Sequence, residues 1–330
     1  MKPVATDITV LKQLTAIRLD ISIWSARKKL TPSDFGTSNL PPESIASLGS
    51  KKVCNPEDLR IFGMLKARAM ALLDRQGMRF LGGWVIPETA INDVIAALDG
   101  IAADFESAKT TFLARYDAAV QDWISQNLGW ESLIAGSQVN VDTVRARLGF
   151  AWQMYKITPP RKVDAARPLH DAVTGLGQSL FGEGAKIADE AWSKSFAGKL
   201  EVSLKALSPI KSLRQKLAGL SFVEPRVAPV VDLIDAALAS IPDKGPISGG
   251  DLVMMQGLVC LLRDPQALVE HGQKIIDGQA PNHILQGLVA LPPQSPRPVI
   301  EDEDGEDEDE SSTNDLVHDP MPGIESLGLW

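Results

Sequence analysis

Residues 15–25 read TAIRLDISIWS, and their alternation decides the fold. Ile17, Leu19, Ile21 and Ile23 fall on one side, Arg18, Asp20, Ser22 and Trp24 on the other. Period two with β-branched residues predicts a half-buried strand. Two later segments offer it partners. Residues 78–87, MRFLGGWVIP, read as one strand bent or bulged at Gly82–Gly83. In the third, Leu148, Phe150, Trp152 and Met154 alternate with Gly149, Ala151, Gln153 and Tyr155, until Pro159–Pro160 stop the run. Each segment carries one tryptophan: Trp24, Trp84 or Trp152. Packing on a small sheet accounts for all three, and an aromatic binding platform is the alternative.

Helical spacing dominates the rest. Asn55 is a good N-cap, Pro56 suits the first helical position, and Glu57 and Asp58 favour the positive end of the helix dipole. Leu59, Phe62, Leu65, Ala69 and Leu72 form the stripe, and Gly77 the stop. Residues 88–127 read as one long helix. Ile91, Leu98, Phe105, Phe112 and Ala119 recur every seven residues, with Val94, Ile101 and Ala108 in a second seam. This is a coiled-coil pattern. At ~1.5 Å rise, its forty residues would reach about 60 Å. It is expected to project as an arm or pack along other helices, and is the candidate surface for a homo-oligomer. A short helix is expected around 139–147.

From residue 165 only helices are predicted. Leu169 to Phe196 form an apolar stripe with a break at Gly182 and Gly184. Later helices start at Ser208–Pro209 and Asp264–Pro265, each a cap followed by proline. The most apolar run, LVMMQGLVCLL (252–262), is about half the ~20 residues of a membrane span and reads as a buried helix. The predicted fold is mainly α (α+β). A small antiparallel sheet and long helical arm occupy 1–160, and a helical bundle 161–290. A Pro-rich linker and disordered acidic tail occupy 291–330.

The net charge of −9 is unevenly spread. Residues 301–330 hold twelve of the 42 acids and no Lys or Arg, so residues 1–300 carry thirty acids against thirty-three bases. Residues 1–80 alone carry thirteen bases and seven acids. Two cysteines far apart, no C-x-x-C and four scattered histidines give no metal-ligand spacing, so no metal or cofactor is expected. The start lacks the apolar core of a signal peptide, and a reducing, cytoplasmic setting is the simplest expectation.

ISIWSARKKLTPSDFG, LGSKKVCNPEDLRIF, RFLGGWVIPE, FLARYDAAVQDWI, GFAWQMYKI and LAGLSFVEPRVAPVVDLIDAAL together resemble an uncharacterised bacterial family, domain-of-unknown-function family 3150. The resemblance spans most of residues 15–265. It brings no activity and no functional residues. It implies a setting on mobile elements and phages, beside a MoxR-type or cobalt-chelatase-like AAA+ ATPase and a von Willebrand factor A protein.

The segment GLGQSLFGEGAK (175–186) lacks both the G-x-G-x-x-G spacing and the P-loop frame, so a helix break is expected there. The acid pairs Asp99/Asp104 and Asp232/Asp235 read as solvated helix faces, and His170 and His271 have no nucleophile motif nearby. The best local basic cluster is Arg27, Lys28 and Lys29 with Lys51 and Lys52. It is either a polyanion contact or an edge strand guarded by lysines. In the tail, nine acids between Glu301 and Glu310 precede an apolar cluster of Ile324, Leu327, Leu329 and Trp330. That order suits capture by a partner's groove; docking onto the chain's own body, or solubility alone, are the alternatives. The expectation is a non-catalytic adaptor or assembly subunit working with the ATPase and its von Willebrand factor A companion. The alternative is a nucleic-acid-handling protein whose acidic tail autoinhibits a basic N-terminal surface.

Overall fold

A computed structural model describes residues 6–34, 48–160 and 163–289. The chain is mainly helical with a small antiparallel sheet. After α1 (Thr6–Lys12) come β1 (Leu14–Ser22), β2 (Arg27–Lys29) and β3 (Ser50–Lys52). Then follow α2 (Arg60–Gln76), β4 (Met78–Phe80), β5 (Gly83–Pro87), α3 (Ile91–Ala114) and α4 (Tyr116–Gln126). The short α5 (Glu131–Ala135) and α6 (Val141–Ala146) lead to β6 (Gly149–Tyr155). The C-terminal helices are α7 (Val163–Thr174), α8 (Leu176–Ala191), α9 (Ser208–Gly219) and α10 (Val227–Ala239), then α11 (Gly249–Leu262), α12 (Pro265–Ile276) and α13 (Pro281–Val289). A two-residue pair, β7 (Glu201–Val202) with β8 (Ile247–Ser248), lies among them. All these elements belong to one compact unit, Met1–Ala290. Among the described residues no single helix is long and apolar enough to cross a membrane.

The sheet order is β4-β5-β1-β6, and every pairing is antiparallel. β1 is central, and helices cover both of its faces. Ile17 joins Phe62, Leu73, Ile86, Leu98 and Phe105 in a core built with α2 and α3. Leu14 and Ala16 join Met78, Val85, Leu180, Leu213 and Leu258 in a second core with the C-terminal helices. Beyond Ile17 the alternation behaves as expected: Leu19 and Ile21 are half-buried, while Arg18, Asp20 and Ser22 are exposed. Lys216 ties the C-terminal helices to α2. Its side chain is 3% exposed, and its amine donates to the Asp74 carbonyl (2.7 Å) and the Glu183 carboxylate (2.6 Å).

Several expectations need correction. Residues 78–87 form two strands, paired Met78↔Val85 to Phe80↔Gly83, around a two-residue turn. Leu81 (φ 46°) and Gly82 (φ 78°) both adopt the left-handed conformation that such a turn requires. The 88–127 helix is divided: one 3₁₀ turn, Glu88–Ala90, precedes α3, and Arg115 (φ −107°, ψ 8°) separates α3 from α4. Tertiary contacts hold the break. Arg115 pairs with Asp58 ahead of α2, and the Tyr116 hydroxyl donates to the Val139 carbonyl at 2.8 Å. The heptad seam of α3, from Ile91 to Phe112, is buried against α2 and β6, so it serves the chain's own core.

Trp24 does not share the solvent side with Arg18. β1 has ended, and Trp24 is 3% exposed, edge-on to Tyr116 at 5.7 Å. α8 runs unbroken through Gly182 and Gly184. A side chain at Gly184 would press on Leu213, so this glycine permits close packing of α8 and α9. Two capping expectations are met: Asn55 Oδ1 accepts from the Glu57 amide (3.1 Å), and Asp264 Oδ1 from the Gln266 amide (2.8 Å). Ser208 is not a cap: a 3₁₀ turn, Leu204–Leu207, runs directly into α9, Ser208 is already helical, and no side chain caps that helix. Residues 291–330, including Ile324, Leu327, Leu329 and Trp330, lie outside the described residues.

Candidate functional site

The basic residues picked out by sequence meet in one place. β2 and β3 pair antiparallel, with Arg27 opposite Lys52, Lys28 opposite Lys51 and Lys29 opposite Ser50. They form a two-stranded ribbon separate from the main sheet. Directly opposed residues share a face, so Arg27, Lys29 and Lys52 lie with Ser50 on one side, Lys28 and Lys51 on the other.

The ribbon is rooted in the aromatic core. Trp24, Ala26, Val53 and Cys54 at its base are all buried there. Ala26 takes a left-handed turn (φ 52°), and its carbonyl accepts from the Val53 amide at 2.8 Å. The Leu30 amide donates to the Gly49 carbonyl at 3.1 Å, extending the pairing by one step beyond Lys29 and Ser50. Burial, reinforced by the nearby Asp58 charge, pushes the Cys54 thiol up to about 12. Cys54 is therefore a neutral packing residue at ordinary pH.

Lys51 is neutralised internally. Lys51 has a side chain only 9% exposed, and its amine meets Asp34 Oδ1 at 2.5 Å. The Asp34 carboxylate also accepts from the Thr31 amide (2.8 Å) and hydroxyl (3.1 Å). Lys51 first, then the Thr31 amide, hold its carboxyl below the usual carboxylate range. Arg27, Lys28, Lys29 and Lys52 are exposed. Neither Arg27 nor Lys52 makes an ion pair among the described residues, although the two stand directly opposite each other.

That juxtaposition separates two explanations. Lysines along an exposed strand guard it against unwanted pairing. Guarding does not require like charges across the pair, which cost about 0.2–1 kcal/mol each. A bound anion would remove that cost. The chemistry offered is a cluster of hydrogen-bonding cations on a narrow, firmly based ribbon, suited to phosphate oxygens.

The other sequence candidates do not assemble into a site. Asp104 pairs with Arg68 (2.8 Å), and Asp235 with Arg214 (2.5 and 2.7 Å), so each of these two carboxylates is engaged by an arginine. His271 Nδ1 lies 2.8 Å from the Ala267 carbonyl on its own helix. In the 175–186 segment Gly175 is the N-cap of α8, and the rest lies within that helix. No group of three or more His, Cys, Asp or Glu side chains able to hold a metal occurs among the described residues. Sequence reasoning found the five cations but missed their pairing, because Lys51 and Lys52 lie in a stretch rich in Pro, Ser and Gly (31–55) that reads as loop. The available signal was the recurrence of two lysines, Lys28–Lys29 and Lys51–Lys52, each followed by an apolar residue, Leu30 or Val53.

A family profile described as protein of unknown function (DUF3150) matches residues 11–264. No curated protein and no solved structure matches the chain.

Proposed function

The chain belongs to the DUF3150 family, and from that premise we propose that it is a non-catalytic binding subunit that contacts nucleic-acid phosphates through the β2–β3 ribbon. The observation supporting this is the opposition of Arg27 and Lys52 across the ribbon, beside the exposed Lys28 and Lys29. A two-stranded ribbon is also narrow enough for the major groove of B-form DNA. Contacts of this kind position a protein on the backbone without reading sequence. The twelve acids of residues 301–330 oppose polyanion binding through net charge alone.

The test is fluorescence anisotropy of labelled duplex and single-stranded oligonucleotides at low salt. The full chain should bind, Arg27→Ala/Lys52→Ala should weaken binding roughly tenfold or more, and removing 301–330 should strengthen it. No binding by the full chain, or binding indifferent to the double substitution, would reject the reading.

A second reading, an adaptor or assembly subunit for an AAA+ ATPase and a von Willebrand factor A protein, rests on the family resemblance. The acidic-then-apolar order of 301–330 also favours it. It predicts that the ATPase co-purifies with the full chain and that Trp330→Ala weakens the association. Absence of association with the full chain would remove it.

A further inference from the structure

β6 forms one edge of the main sheet, and the edge is long and unguarded. Its seven residues, GFAWQMY, include no charge and no proline. The opposite edge, β4, is three residues long and carries Arg79. The inner side of β6 pairs with β1 from Gly149↔Ser22 to Tyr155↔Ala16. In such a ladder alternate residues aim their amide and carbonyl groups outward. No backbone hydrogen bond joins that outer side to any described residue. Met154 and Tyr155 are 49% and 41% exposed, and Ala151 and Gln153 are also exposed. Soluble proteins shorten, charge or cover such edges, and none of these devices is seen on β6.

We propose that β6 pairs antiparallel with β6 of a second copy, making one sheet continuous across a two-fold axis at Trp152. The strand is suited to itself. In that register Gly149 faces Tyr155, Phe150 faces Met154, and Ala151 faces Gln153. The smallest residue meets an aromatic, and a thioether meets a ring. No like charges are opposed, in contrast with the β2–β3 ribbon. The first flanking cation, Lys156, faces Leu148, and its amine is held on its own chain by Glu88 and the Leu14 carbonyl (3.1 Å). The contact is isologous, so it closes at two copies. Two strands alone make a small interface, so the association is concentration-dependent. It also doubles the number of ribbons per particle.

Sedimentation velocity of the full chain over a concentration series tests this. The native chain should pass from monomer to dimer. Ala151→Lys/Gln153→Lys opposes lysines across the axis twice and should weaken the dimer roughly tenfold or more. Ala151→Lys/Gln153→Glu sets Lys against Glu in the same register and should restore it. Asp20 and Arg18 are the partners of these positions on β1, so helical content and unfolding of each variant are recorded alongside. A native chain that stays monomeric, a Lys/Lys variant that dimerises normally, or a Lys/Glu variant no tighter than Lys/Lys would each overturn the proposal. Hydrogen exchange on the native chain is an independent check. Amides in 149–155 should slow as concentration rises, and unchanged rates would contradict the pairing.

Discussion

The β2–β3 ribbon and the β6 edge are both exposed antiparallel backbone, and they solve the edge problem in opposite ways. The ribbon is three residues long on each strand and dense in cations. The edge is seven residues long and uncharged. The ribbon's charges oppose a copy of itself and are complementary to a polyanion; the edge offers a copy no electrostatic obstacle. They also differ in footing. The ribbon stands on fully or nearly fully buried residues, Trp24, Val53 and Cys54, whereas Trp152 on β6 is only half-buried. The difference teaches that exposed strand pairing acquires its role from its charge pattern, and its rigidity from what lies beneath it.

The largest expected effect tests the footing. Trp24→Ala should cost about 3–5 kcal/mol in denaturant unfolding, and nucleic-acid binding should weaken with it because the ribbon loses its base. Trp152→Ala should cost distinctly less. Equal losses would erase the distinction. A smaller effect, opposite in sign, sharpens the comparison. Arg27→Ala/Lys52→Ala removes a like-charge pair and should raise the unfolding free energy by about 0.2–1 kcal/mol. A variant more stable yet weaker in binding marks a functional cluster; a destabilised one would mean the two side chains support the ribbon.

The smallest effect is in pH. The Asp34 carboxyl is held below its ordinary value of 3.8 by Lys51 and Thr31. Its contribution is therefore present above that ordinary value and lost as pH falls through the lowered one. Exchange of the Thr31 amide should accelerate only in that acid window, beyond the ordinary pH dependence of exchange. Asp34→Asn should abolish this extra dependence.

Much of the fold was legible because local physics and tertiary packing agree there. The alternation of Ile17, Leu19 and Ile21 marks β1, and the Asn55 and Asp264 caps mark helix starts. Legibility failed where a tertiary contact overrides the local pattern. The heptads run through Arg115 without a signal, since the break depends on Asp58 and Val139, both distant in sequence. The turn at Leu81–Gly82 was hidden because leucine seldom takes a left-handed conformation. Gly184 looked like a helix breaker because its use, the approach of Leu213, lies on another helix. In the candidate site the charges were visible and the pairing was not. Strands made of lysines carry no apolar alternation to announce them.

The central claim, that the ribbon's exposed cations contact phosphates, is tested most directly by the salt dependence of binding to a DNA duplex. For three to four phosphate contacts, log K should fall with log salt at a slope of about −3 to −4, and Arg27→Ala/Lys52→Ala should reduce that slope by about two. A slope unchanged by the double substitution would show that the contact lies elsewhere.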